Sequence, residues 1–240
     1  MQHTSLNNLL LIDIETVSQK PEFADLNKDW QLLWEEKNSR LPEGVSIADY
    51  YPQRAGVMAE FAKIVCISIG YFKKEGDWQL RIKSFYNDDE KILLKDFMDT
   101  IQQMEMLNNK WCFTGHNIKE FDIPFLCRRL LINNFSIPPY LDFQNMKPWE
   151  TNMIDTFQYW RFGDYKNYTS LKLLAASLNV PSPKDDIDGS MVGEVYWKDG
   201  DLKRIAIYCQ KDVVTVANII LRFKNMELLK EEQVINVGTK

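Results

Sequence analysis

Apolar and polar positions alternate along the chain in two different periods, and together they predict interleaved strands and helices. Residues 9–15 (LLLIDIE) are continuously apolar until two carboxylates appear, which suits a strand covered on both faces. Residues 64–72 and 78–86 read as two further strands, joined by a turn at Lys74-Glu75-Gly76-Asp77. Residues 88–103 carry Ile92, Leu93, Phe97 and Ile101 on one side, the pattern of an amphipathic helix. Beyond it the pattern predicts a short strand at 111–114, a helix at 121–132, a strand at 153–157 and a helix at 171–178. Residues 202–229 close the chain as one helix or two. Early strands and later, interleaved helices indicate an α/β class with a mixed central sheet. Residues 21–60 are polar, with Trp30, Leu33 and Trp34 at helical spacing. They are expected as a surface insertion in a single domain spanning 1–240.

Composition narrows the function more than the fold. At 240 residues, 45% hydrophobic and 26% charged, the chain is long enough for one large core and too apolar for wholesale disorder. No stretch of about 18 apolar residues exists, so no membrane span or membrane partner is expected. The N-terminal residues carry no basic segment ahead of an apolar run. The four cysteines, Cys66, Cys112, Cys127 and Cys209, lack CxxC spacing and sit in apolar segments. Both features predict a cytoplasmic protein with buried free thiols. With only His3 and His116 present, a multi-histidine metal site is excluded. The net charge of −5 argues against a passive nucleic-acid coat, which needs a basic surface.

Three local patterns carry chemistry. Asp13 and Glu15 lie two apart on a strand and so share one face, where like charges repel unless a cation lies between them. Asp122 follows Gly115-His116-Asn117-Ile118-Lys119-Glu120-Phe121 and precedes Pro124. Pro124 fits only the first turn of a helix, which puts Asp122 at or beside the N-cap and leaves a capping role open. Tyr208 and Asp212 are four apart, on one face of a helix bordered by Ile205, Val213 and Val216. Carboxylates from a strand, a helix start and a late helix are suited to hold hard cations. Two such ions about 4 Å apart stabilise both oxygens of a phosphodiester undergoing in-line displacement.

The set Asp13-Ile14-Glu15, Asn117 through Asp122 with Pro124, and Tyr208-x-x-x-Asp212 resembles the three exonuclease motifs of the DEDD superfamily. Tyr208 indicates its tyrosine branch. The wording is closest to the proofreading domain of family B DNA polymerases and to stand-alone bacterial proteins of that type. Asp186-Ile187-Asp188-Gly189-Ser190 is also similar to those stand-alone proteins. The resemblance implies a ribonuclease H-like sheet flanked by helices, two Mg²⁺ or Mn²⁺ ions, and 3′–5′ hydrolysis of single-stranded ends to nucleoside 5′-monophosphates. DNA is preferred to RNA as substrate, and a polymerase or repair protein is the implied partner. The alternatives are an exoribonuclease and a non-catalytic nucleic-acid or partner-binding module on the same fold. By the same resemblance Asp13 bridges both ions, Glu15 and Asp212 hold the one that activates water, and Asp122 holds the other. Tyr208 orients the water, its phenol (pKa about 10) being a poor base at neutral pH. Asn117, Phe121 and the backbone of Thr16 contact the terminal nucleotide.

Residues 157–168 hold six aromatics with Arg161 and Lys166 interleaved, a composition shared by core packing and by base-stacking surfaces. Lys166 is the preferred phosphate contact, with Lys119, Lys172 and Lys211 as further candidates. Loading with two divalent ions adds about +4, so the acidity of the free chain does not exclude a nucleic-acid substrate.

Overall fold

Strand β1 (Leu9–Ser18) lies inside a six-stranded sheet and explains why its sequence is apolar on both sides. The computed structural model describes residues 4–41, 43–108, 110–144, 146–147, 150–181 and 187–239. After β1 come helices α1 (Lys28–Lys37) and α2 (Ile47–Arg54), then the long hairpin β2 (Ala62–Glu75) and β3 (Asp77–Tyr86). Next are α3 (Glu90–Leu107), β4 (Cys112–Gly115), α4 (Asp122–Ile132), β5 (Met153–Asp155), α5 (Thr156–Arg161) and α6 (Leu171–Ser177). A short α7 (Val192–Glu194) runs on as a π-turn (Val195–Asp199). Then α8 (Leu202–Phe223) and β6 (Val234–Thr239) complete the order.

The sheet order is β5-β4-β1-β2-β3-β6. β1 pairs in parallel with β4, β4 with β5 and β3 with β6, while β2 is antiparallel to both β1 and β3. This is a ribonuclease H-like α/β fold with a mixed sheet flanked by helices. Leu10, Ile12 and Ile14 of β1 face a core containing Phe97 of α3 and Phe125 and Leu126 of α4. Leu9 and Leu11 face the opposite core, with Val213, Val216 and Ile220 of α8. Helix α8 can seat this closely because β2 has Gly70 beneath it. A Cβ there would lie 2.7 Å from Val213 Cγ1, a clash that would push the helix off the sheet.

Three expectations from periodicity change. The strand expected at 153–157 ends at Asp155, whose carboxylate accepts the N–H groups of Phe157 and Gln158 and so starts α5. The closing helix is continuous but stops at Phe223, where Asn225 turns left-handed at φ +53°. Strand β6 was not foreseen. Its short Val234-Ile235-Asn236-Val237 run gains its partner only from the edge of β3.

Residues 23–57 form α1, α2 and two 3-10 turns around an aromatic cluster of their own. The Trp34 ring sits 5.1 Å from that of Tyr51 and 5.0 Å from that of Phe61. Leu33 points outward, so the inward face is set by Trp30 and Trp34. This segment meets the end of β1, where Thr16 Oγ1 donates to Gly56 O at 2.6 Å and Gln19 Nε2 to Glu60 O at 2.7 Å.

Helix α4 is tied to the sheet by a buried ion pair. Arg129 Nη2 meets Glu90 Oε2 at 2.5 Å and Arg129 Nη1 donates to Ala59 O, while Glu90 Oε1 also accepts Ile64 N–H at 2.7 Å. Removing one partner of such a pair leaves a buried charge uncompensated. Arg129→Ala is expected to lose about 3–5 kcal/mol, a melting-point drop of roughly 10 °C by calorimetry. A drop under about 2 °C would show that the pair does not anchor α4.

Candidate active site

The site lies beside the middle of β1 and past the C-terminal end of β4, where open α/β sheets commonly bind ligands. A bulge separates Glu15 from Thr16 in the β1–β2 ladder, and bulges commonly re-aim side chains. Asp13 and Glu15 lie on the α8 side of β1. A carboxylate oxygen from each and the Sγ of Cys209 all lie within 4.8 Å of one another. Glu15 is 8% exposed. Asp13 Oδ2 is buried without a hydrogen-bond partner, while Cys209 donates its thiol proton to the Asp13 carbonyl at 3.4 Å.

Asp122 reaches the same place from α4. It is the first helical residue rather than the cap, and the N-cap Phe121 offers no side-chain hydrogen bond. Asp122 Oδ1 accepts the N–H of Ile14 at 3.2 Å, which joins the start of α4 to the strand between Asp13 and Glu15. From α8, Tyr208 donates its hydroxyl proton to Asp212, and both approach Glu15 and Asp13. The five sequence-predicted residues are therefore together.

Their protonation records the crowding. Burial, then the charges of Asp212 and Asp122, hold Asp13 well above the usual carboxylate range. Burial, then Asp13 and Asp212, do the same to Glu15. Burial raises Asp122 to about 7, against the lowering effect of its backbone hydrogen bonds and with Asp155 and Asp212 adding to the rise. Burial and the three neighbouring carboxylates keep Tyr208 a proton donor. No ion pair among the described residues involves Asp13, Glu15 or Asp122.

The loop between β4 and α4 needs a tight entry. A Cβ on Gly115 would come 2.2 Å from Ile118 Cγ2 and 2.8 Å from Ile12 O. Asn117 is left-handed at φ +65°, and its Oδ1 is buried without a partner. Asp155 holds this loop by accepting Asn117 N–H and Lys119 N–H, each at 3.0 Å. Sequence reasoning missed Asp155. Its signal was an Asp at the end of a short strand just before a helix. His116 is a brace for the same loop. The Thr169 carbonyl can only accept, so Nε2 carries the proton (2.9 Å), while Nδ1 meets Thr156 Oγ1 at 3.0 Å.

The remaining candidates are less central. Phe121 is half-buried and packs on Phe125 at 5.2 Å, and the Thr16 hydroxyl is committed to Gly56 O. Lys166 stands on an exposed turn, and no contact among the described residues joins it to the carboxylates. His3, Asp185 and Asp186 lie outside the described residues. The loop after them passes beside the phenol, since a Cβ on Gly189 would lie 4.0 Å from Tyr208 Oη. A cavity of about 270 Å³ adjoins Tyr208 and is lined by Lys203, Arg204 and Lys211. A larger one of about 500 Å³, behind α4, is mostly apolar and reaches none of the carboxylates.

A family described as "predicted 3′-5′ exonuclease related to the exonuclease domain of PolB" matches residues 57–236. The chain belongs to this family. Asn117, Asp122, Tyr208 and Asp212 of this exonuclease-family chain fall inside the matched region, while Asp13 and Glu15 precede it and are joined to it by the sheet. A family B DNA polymerase from the hyperthermophilic archaeon Pyrobaculum calidifontis has a similar fold, with a TM-score of 0.50 and 16% identity. That similarity covers 90% of this chain and 24% of the polymerase, so the chain spans about a quarter of its neighbour's length. No curated protein matches the chain.

Raised carboxylate pKa values in the folded protein mean that it binds more protons than the unfolded chain. Stability is then lost as pH rises from the ordinary carboxylate range, and for Asp122 from 3.8 through about 7. The protein melted in chelator is expected to be more stable at pH 5 than at pH 8, with Mg²⁺ or Mn²⁺ restoring more at pH 8. Asp13→Asn should flatten this slope and raise the chelated melting point by a few degrees. Equal melting points for wild type at both pH values would contradict the crowding.

Proposed function

We propose that the chain is a two-metal 3′–5′ exonuclease that removes nucleoside 5′-monophosphates from single-stranded DNA ends. The observation carrying this reading is the convergence of Asp13, Glu15, Asp122 and Asp212 with one buried carboxylate oxygen unsatisfied and, among the described residues, no ion pair to Asp13, Glu15 or Asp122. Four carboxylates from three elements, with the neighbouring Cys209 thiol turned to the Asp13 carbonyl, fit Mg²⁺ or Mn²⁺, which take carboxylates and keep waters. The family's relation to a polymerase exonuclease domain supports DNA over RNA, and it makes a polymerase or repair protein the natural partner. Residues 1–240 act as one unit, with 21–60 an insertion beside the end of β1.

Asp13, Glu15, Asp122 and Asp212 would hold the ions. When bound, divalent ions supply the positive charge that offsets the carboxylates, acidifies water and stabilises charge on the phosphodiester oxygens. Tyr208 keeps its proton, so it would orient an attacking water rather than deprotonate it, with its hydroxyl held by Asp212. Asn117, whose backbone Asp155 fixes, would contact the terminal nucleotide together with Phe121 and the backbone of Thr16, the roles that the exonuclease resemblance implies.

The purified chain with Mg²⁺ or Mn²⁺ should shorten a 5′-labelled oligodeoxynucleotide from its 3′ end. Asp13→Ala and Asp212→Ala should each lose at least about 1000-fold in rate, and Tyr208→Phe about tenfold to 100-fold. An RNA of the same sequence is expected to be cut more slowly. If no strand shortens with either metal, the reading fails and a non-catalytic binding module stands in its place.

A further inference from the structure

The aromatic segment 157–168 divides into two sets. Phe157 is buried at 1% exposure, Tyr159 packs on Phe223 at 4.9 Å, and Trp160 joins the small core around Leu174. The other three rings face water: Phe162 is 82% exposed, Tyr165 78% and Tyr168 65%. Three large rings exposed on seven residues are not accounted for by the core, and such patches mark interaction sites.

Phe162 adds an independent sign. It caps α5 at φ +45°, ψ +34°, in the left-handed region that bulky residues avoid and that Gly or Asn fills without strain. Gly163 follows immediately, also at positive φ. A strained backbone and an exposed ring together serve a contact outside the chain better than they serve the fold.

The patch is continuous with the carboxylate site. Tyr168 packs edge-on against Phe157 at 4.9 Å and lies close enough to Asp122 and Asp155 to feel their charge. The Thr169 carbonyl next to it is held by His116. On the other side of Phe157 the Arg161 guanidinium lies 3.9 Å over the ring and 5.5 Å from the ring of Tyr165. Arg161 also binds Glu120, which fixes this run to the loop carrying Asn117 and Asp122. The rings thus start at Asp122 and lead outward past a guanidinium to Tyr165.

We propose that Phe162, Tyr165 and Tyr168 form a platform on which unpaired bases of the substrate strand stack, inward of the 3′-terminal nucleotide. The proposal rests on the exonuclease reading and extends it to the strand upstream of the cut. Bases present a π-face whatever their sequence, and a duplex hides those faces, so the occupant is a single strand. Lys166, exposed on the same turn, supplies positive charge beside the rings for its phosphates, while Arg161, held by Glu120, braces the rings from beneath.

The test is binding of a fluorescent oligothymidylate by anisotropy, with the full chain in chelator, so that hydrolysis plays no part. Phe162→Ser and Tyr165→Ser should each weaken binding about tenfold, and Tyr165→Phe should restore it. Abasic sites two to four nucleotides from the 3′ end should weaken wild type by a similar factor and the Ser variants little further. Wild-type affinity in the Ser variants, a full abasic penalty in them, or equal binding of a blunt duplex would each overturn the platform. Failure to degrade any strand with Mg²⁺, despite this binding pattern, would instead overturn the exonuclease reading alone.

Discussion

Mutual repulsion among buried carboxylates is the constraint around which the rest of this structure is arranged. Among the described residues Asp13, Glu15 and Asp122 carry no ion pair, and each raises or shares in the raised protonation of its neighbours. Groups that repel one another do not assemble spontaneously, so elements packed for other reasons must bring them together. β1 is held by apolar cores on both faces, α8 by Val213, Val216 and Ile220, and α4 by the Glu90–Arg129 pair. The apolar framework is therefore the source of the energy that keeps the acidic site assembled.

Small backbone details set how closely the elements can meet. Gly70 lets α8 settle onto β2, and Val213, the residue next to Asp212, is the side chain that needs the space. Gly115 lets the strand before Asn117 pass under Ile118 and against the carbonyl of Ile12, one residue from Asp13. The Ile14 N–H bound by Asp122 belongs to the strand residue between the two β1 carboxylates. These contacts are each local. Their common effect is that three segments far apart in sequence share one small volume.

Much of this was legible in the sequence because it depended on period. The unbroken run from Leu9 to Ile12 announced a strand covered on both faces, and the Tyr208/Asp212 spacing fixed one helical face. Pro124 located the start of α4. What periodicity could not carry was long-range satisfaction. Asp155 looks like any strand-end acid until the N–H groups of Asn117 and Lys119 are seen to need an acceptor. Strand β6 exists because the edge of β3 is open to it, and the six rings of 157–168 could be sorted into core and surface only by their neighbours.

The same constraint resolves the apparent conflict between an acidic chain and a polyanionic substrate. With a net charge of −5 and its carboxylates drawn together, the metal-free site repels a phosphodiester as strongly as it repels its own members. Protons relieve that repulsion at low pH, where burial, with Asp155 and Asp212 adding to it, keeps Asp122 protonated up to about 7, but protonated acids are poor ligands. In the proposed two-metal reading, divalent cations would relieve it without removing the ligands and would neutralise the local charge. Before that, a strand would have to be recognised by something other than charge at the cut itself. The exposed rings of Phe162, Tyr165 and Tyr168, the last of them near Asp122, would on the stacking proposal attract a single strand whatever the state of the carboxylates.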